Sequence, residues 1–187
     1  KMNQLVNRGA NGESALHPVV IGAYGQGTAP TVSDQIRIFQ EESKHVVIRD
    51  IHIEGGFQAL LGENIMLDNI IATDGEIAAQ GADRFTLRNS SVYDVIYESP
   101  VDGADVWHAH LNRKGGIYVN AGEGLLFENN FFDHNGWADG YDYNLSGDSP
   151  MPPSMYSHNF YLDAGNRDLT FRDNITMVFS MDISVGL

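Results

Sequence analysis

"GLLFENNFF", residues 124–132, sets five large apolar side chains within nine positions around a pair of asparagines. A single half-buried strand could not hold Asn129 and Asn130 cheaply, because a buried amide without partners costs a few kcal/mol. The same arrangement recurs along the chain. "HVVIRDIHI" (45–53), "NIMLDNIIA" (64–72), "RFTLRNSSV" (84–92) and "DLTFRDNIT" (168–176) superimpose on it, and successive starts are separated by 19, 20, 40 and 44 residues. One column reads Val46, Ile65, Phe85, Leu125, Leu169; two positions on it reads Ile48, Leu67, Leu87, Phe127, Phe171. A spacing of two is the period of a strand with one face always buried. Two positions further stand Asp50, Asn69, Asn89, Asn129 and Asp173, the same small polar type at the same phase.

A second strand precedes each of the last four units: "GFQALL" (56–61), "EIAAQ" (76–80), "GIYVN" (116–120) and "NFYLD" (159–163). The linkers "GEN", "GAD", "AGEG" and "AGNRD" are turns built on Gly, Asn and Asp. Each unit is therefore strand, turn, strand, polar kink, short strand. Units of this kind stack as a parallel β-solenoid with the apolar columns inside. The run 124–132 becomes two strands meeting at a corner that holds Asn129. Asn and Asp side chains of successive coils are expected to bond to one another and to turn backbone, forming a ladder.

The chain of 187 residues, 42% hydrophobic, suits one domain with a sizeable core. With 11 basic and 25 acidic residues its net charge is −14, which argues against nucleic acid and against anionic membrane surfaces. There is no cysteine, so disulfide and thiolate–metal chemistry are excluded. No apolar stretch approaches the length of a membrane span, and "KMNQLVNRGANGES" does not read as a secretory signal. The end at "SMDISVGL", without a polar tail, leads to the expectation that 1–187 is one domain cut from a longer β-helix.

The repeat over roughly residues 45 to 180 and the segment "HPVVIGAYGQGTAPTV" (17–32) resemble the right-handed parallel β-helix proteins, which include polysaccharide lyases, alginate epimerases and phage tailspikes. "FFDHNGW" and "SHNFYLD" are similar to recurring elements of bacterial extracellular β-helices. The resemblance implies an all-β, right-handed parallel β-helix with coils of about 20 residues, an Asn/Asp ladder and two long insertions. It implies an extracellular, periplasmic or virion and cell-surface location, and a sugar-binding groove floored by the sheet of first strands. The Asp-Pro-His motif of mannuronan epimerases and calcium-binding nonapeptide repeats are both absent, which directs away from an epimerase.

Extra length falls at 93–115 and 133–158, between a short third strand and the next first strand. An intervening ordinary coil could account for the first; the second is too rich in Gly, Pro, Asp and Ser to form coil strands and reads as a functional loop. Alternation along the first strands sends Ile117, Val119, Phe160 and Leu162 inward, and Tyr118, Asn120, Tyr161 and Asp163 outward. Gln58 and Ala78 fall in the tyrosine column, with Leu60 and Gln80 beside Asn120. Two stacked tyrosines beside Asn and Asp suit a sugar, with Asn120 and Asp163 as hydroxyl partners.

For elimination from a uronate, a cation neutralises the carboxylate, a base removes the neighbouring C–H proton and an acid protonates the leaving oxygen. His108, His110 or His158 could be the base, Tyr118 or Tyr161 the acid, and Arg113 or Lys114 the neutraliser; His suits the task because its ordinary pKa lies near neutrality. His134, Trp137, Tyr141 and Tyr143 could form a wall for substrate, and Asp139 with Asp142 could hold Ca2+. The expected function is cleavage of an acidic extracellular polysaccharide by β-elimination. The alternative is a non-catalytic carbohydrate-binding or structural β-helix, a tailspike, adhesin or surface shaft, with a homotrimer expected on the tailspike-like form.

Overall fold

The computed structural model describes residues 5–8, 11–39, 43–96, 114–136, 158–177 and 183–185. Their strands form three parallel sheets. The first stacks Leu5–Arg8, Ile36–Phe39, Phe57–Leu60, Ile77–Gln80, Ile117–Asn120, Phe160–Leu162 and Ile183–Val185. The second stacks Val19–Gly22, Lys44–Arg49, Glu63–Asp68, Asp83–Arg88, Glu123–Glu128 and Arg167–Arg172. The third, of very short strands, stacks Thr31–Val32, His52–Ile53, Ile71–Ala72, Ser91–Tyr93, Phe131–Asp133 and Ile175–Met177. The chain visits the sheets in rotation and every strand pairs with the equivalent strand of the next coil, which is the arrangement of a parallel β-helix or solenoid.

The strand register puts like on like. Val46, Ile65, Phe85, Leu125 and Leu169 occupy one rung-to-rung column of the second sheet. Inward side chains from all three sheets, among them Ile36, Ile38, Phe57, Ile65, Leu67, Phe85 and Phe127, are fully buried in one continuous core. Phe57 and Phe85 stack with ring centroids 6.0 Å apart, and Phe85 lies 6.0 Å from Phe127, so aromatic rings pass the packing from coil to coil.

Asn129 and Asn130 have different reasons to be asparagine. Asp50, Asn69, Asn89, Asn129 and Asp173 all have φ between 53° and 56°. This left-handed conformation turns the chain between the second and third sheets, and short polar side chains tolerate it best among residues with a Cβ. Asn69 donates to Asp50 at 2.7 Å, Asn89 to Asp68 at 2.8 Å and Asn129 to Asn89 at 2.8 Å. The next residue is the buried one. Asn130, 3% exposed, donates through Nδ2 to the Leu87 carbonyl and to Asn174 Oδ1, and its own Oδ1 accepts the Ser90 N–H. Every polar atom of that amide is satisfied inside the coil, as burial requires.

Outward residues of the second sheet alternate in sign along the stack: Arg49, Asp68, Arg88, Glu128, Arg172. Opposite charges directly across from each other favour the observed register.

The two zones of extra length are placed by the pairing. Ile77–Gln80 bonds directly to Ile117–Asn120, so no ordinary coil lies between them, which removes that account of the 40-residue interval. Ile117–Asn120 in turn bonds directly to Phe160–Leu162. In sequence both zones follow a third-sheet strand and precede a first-sheet strand, so their described ends stand at the corner beside the first sheet.

Candidate functional site

The outer face of the first sheet is built by strand alternation. Ile117, Val119, Phe160 and Leu162 are buried, which leaves Tyr118, Asn120 and Tyr161 on the outside. Register then places Arg37, Gln58, Ala78, Tyr118 and Tyr161 in one outward column. Beside it run Phe39, Leu60, Gln80 and Asn120, with Asp163 at the position following Leu162. Together these columns make a wall parallel to the stacking direction.

The aromatic end of this wall is ordered. The rings of Tyr118 and Tyr161 are 5.9 Å apart and within 14° of parallel. His158, 5% exposed, also stacks on Tyr161, with centroids 5.1 Å apart and planes 9° from parallel. The Tyr118 hydroxyl donates to Asp163 Oδ2 at 2.9 Å. Asp163 Oδ1 accepts the Ala164 N–H at 2.7 Å, and Asn166 Nδ2 donates to the Asp163 carbonyl at 2.7 Å. The turn therefore fixes the carboxylate, and the carboxylate holds the proton of Tyr118. The Tyr161 hydroxyl makes no hydrogen bond among the described residues. Of the two phenols, Tyr161 is the one whose proton is not engaged by the wall itself. Asn120 Nδ2 donates to the Ala164 carbonyl at 3.3 Å.

Five of the sequence-derived candidates thus come together: Tyr118, Tyr161, His158, Asn120 and Asp163. The other two described candidates stand at corners. Lys114 Nζ donates to the Asp74 carbonyl at 2.9 Å. His134 has φ 48° at the end of a third-sheet strand, the same corner conformation as Asp74 and Asp94, and its Nδ1 lies 2.9 Å from Asp133 Oδ1. His108, His110, Arg113, Trp137, Asp139, Tyr141, Asp142 and Tyr143 lie outside the described residues. Among the described residues, no group of three or more His, Asp or Glu is placed to hold a metal ion.

Compared with family models, curated proteins and solved structures, the chain shows no match. The functional reading consequently rests on the wall.

Sequence reasoning did not bring Arg37 or Phe39 to the site. The signal was there in "IRIF" (36–39), which alternates like the later first strands and sits 21 residues before "FQAL". The Arg37 guanidinium carbon lies 5.9 Å from the centroid of the Phe39 ring, and its Nε donates to Gln35 Oε1. Gln58 Nε2 donates to Gln80 Oε1 at 3.3 Å across the wall. Asp34, Glu54, Asp74, Glu76 and Asp94 all fall in the corners between third-sheet and first-sheet strands. That edge of the wall carries these five acidic residues together with Lys114.

Proposed function

We propose that the protein binds an extracellular polysaccharide along the first-sheet wall and cleaves a uronate-containing polymer there by β-elimination. The observation that carries this reading is the stacking of Tyr161 with both His158 and Tyr118 while Tyr118 is anchored on Asp163, so that Tyr161 is held in place with its hydroxyl making no hydrogen bond among the described residues. In the elimination a base takes the C5 proton of the uronate, the C–H electron pair forms the C4–C5 double bond and the bond from C4 to the glycosidic oxygen breaks. Tyr161 gives its proton to the departing oxygen. His158, His108 or His110 serves as base, and Arg113 or Lys114 neutralises the uronate carboxylate so that the C5 proton becomes acidic. On this reading the solenoid is the right-handed form with coils of about 20 residues and a continuous Asn/Asp ladder. The protein then works outside the cell, in the periplasm or on a cell or virion surface, with Ca2+ at Asp139 and Asp142 as an accessory.

Incubation with polygalacturonate and alginate while following the absorbance of the unsaturated uronate tests the reaction. A rise in absorbance supports it. Reducing ends without the chromophore would replace elimination by hydrolysis.

A second reading, a non-catalytic carbohydrate-binding or structural shaft, draws on a different observation. Tyr118 with Asp163 and Gln58 with Gln80 satisfy one another within the wall, as they would in a purely structural face. No product from any polymer would favour it.

A further inference from the structure

We infer that Arg37 is a distal subsite for a carboxylate of the polymer, so that the wall reads an acidic chain lengthwise from Tyr161 to Arg37. This rests on the polysaccharide reading above and specifies its direction, minimal length and charge.

The first observation is register. Arg37, Gln58, Ala78, Tyr118 and Tyr161 occupy successive rungs of one column on the outer face, with the small Ala78 at its middle only 8% exposed and the four larger side chains half-buried. At the ordinary strand spacing of about 4.8 Å, four steps separate Arg37 from Tyr161 by about 19 Å. An extended pyranose chain advances by about one rung per sugar, so a chain of four or five sugars spans the two ends.

The second observation is how the arginines are partnered. On the second sheet Arg49 lies 2.7 Å from Asp50, Arg84 2.8 Å from Asp83 and Arg88 3.0 Å from Asp68, and Arg172 pairs with Glu128. Those charges neutralise one another in place. Arg37 is different: Nε donates to the neutral Gln35, the guanidinium leans on Phe39, and no carboxylate partners it among the described residues. Arg167, on the second sheet, is also without a carboxylate partner but stands on another face. The two terminal nitrogens of Arg37 make no hydrogen bond among the described residues and are available to an outside group. A planar fork of this kind matches a carboxylate in two parallel hydrogen bonds.

The third observation is the acidic edge formed by Asp34, Glu54, Asp74, Glu76 and Asp94. Lys114 is held at that same edge on the Asp74 carbonyl, and Arg37 adds a cation on the outer face of the first sheet itself.

The test titrates oligogalacturonates and alginate oligomers, from dimer to octamer, into the wild-type protein, Arg37→Gln and Arg37→Lys by calorimetry, with neutral cello-oligomers as control. The circular dichroism spectrum and melting temperature of each variant establish that it is folded. Affinity is expected to climb with length up to the tetramer or pentamer and then level off. Arg37→Gln should lower affinity for the longer uronate oligomers about tenfold, leave the dimer unchanged, and be partly rescued by Arg37→Lys. Equal affinity of wild type and folded Arg37→Gln for the pentamer overturns the subsite while leaving the polysaccharide reading intact. So does a plateau already at the dimer, or equal binding of cello-oligomers. Absence of binding by every oligomer to the wild type overturns both.

Discussion

Asn130 and Asn174 lie one coil apart, and Asn174 Oδ1 accepts both the backbone N–H and the side-chain amide of Asn130, each at 2.9 Å. Asn174 repeats the role by donating to the Phe127 carbonyl at 2.9 Å, as Asn130 donates to Leu87. Asn129, one residue earlier, is exposed at the corner with φ 55°. Replacing the two should have consequences of very different size. Asn130→Ala strands the Leu87 carbonyl and the Ser90 N–H in the interior and is expected to cost about 3 kcal/mol. Asn129→Gly keeps the left-handed corner and should change stability by a few tenths of a kcal/mol, while Asn129→Ala should cost about 1 kcal/mol. Urea denaturation of the three variants distinguishes them.

The second-sheet ion pairs give a pH dependence whose sign is fixed. The hydrogen bond from Arg88, helped by Asn89, lowers the Asp68 pKa below its ordinary 3.8, and the bond from Lys44 lowers Glu63 below 4.5. A carboxylate with a lowered folded pKa contributes stability that is present above its unfolded value and lost as pH falls through the folded one. Melting temperature should therefore hold near neutrality and decline once pH drops below 4.5 and then 3.8. Asp68→Asn should melt lower at neutral pH and show a shallower acid decline. Lys44 is the mirror case: Glu63 raises its pKa above 10.5, so its contribution is lost only as pH rises through that raised value.

Much of this fold was legible in the sequence because the repeat is written in side-chain volume. Val46, Ile65, Phe85 and Leu125 are buried at one phase, with Leu169 continuing the column at 37% exposure in the last second-sheet strand, and Asp50 through Asp173 turn left-handed at another. The wall followed from the same alternation, which placed Tyr118 and Tyr161 outward and in register. The first coil was harder to read. Val19 pairs with Val46, 27 residues on, because the excursion through Gly25 and Gly27 lengthens that step beyond the 19 and 20 residues that separate Val46, Ile65 and Phe85. With the phase lost there, "IRIF" and Arg37 were not aligned with the later strands. The partnering of Tyr118 by Asp163 also depends on ring position and turn geometry, which no spacing encodes.

The core makes a size-dependent prediction. Phe85 is fully buried, with Phe57 and Phe127 each 6.0 Å away on either side. Phe85→Ala should cost about 3–5 kcal/mol through the cavity it leaves between coils, and Phe85→Leu less than about 1.5 kcal/mol. Chemical denaturation measures both.

The two tyrosines should separate in kinetics if the wall performs elimination. Tyr161→Phe removes the proton for the leaving oxygen and is expected to lower kcat by about a hundredfold or more with KM little changed. Tyr118→Phe removes the bond to Asp163, not the leaving-group proton, and should keep kcat within a few fold. Equal losses in both variants would assign the tyrosines a shared binding role instead.

Affinity electrophoresis of wild type and Tyr161→Ala, through native gels cast with and without polygalacturonate or alginate, asks most directly whether the wall holds a polysaccharide. The wild type should be retarded by at least one uronate polymer and Tyr161→Ala, folded by circular dichroism, should run as in the plain gel. Wild-type migration unchanged by either polymer, or equal retardation of the folded variant, would contradict the assignment of this wall.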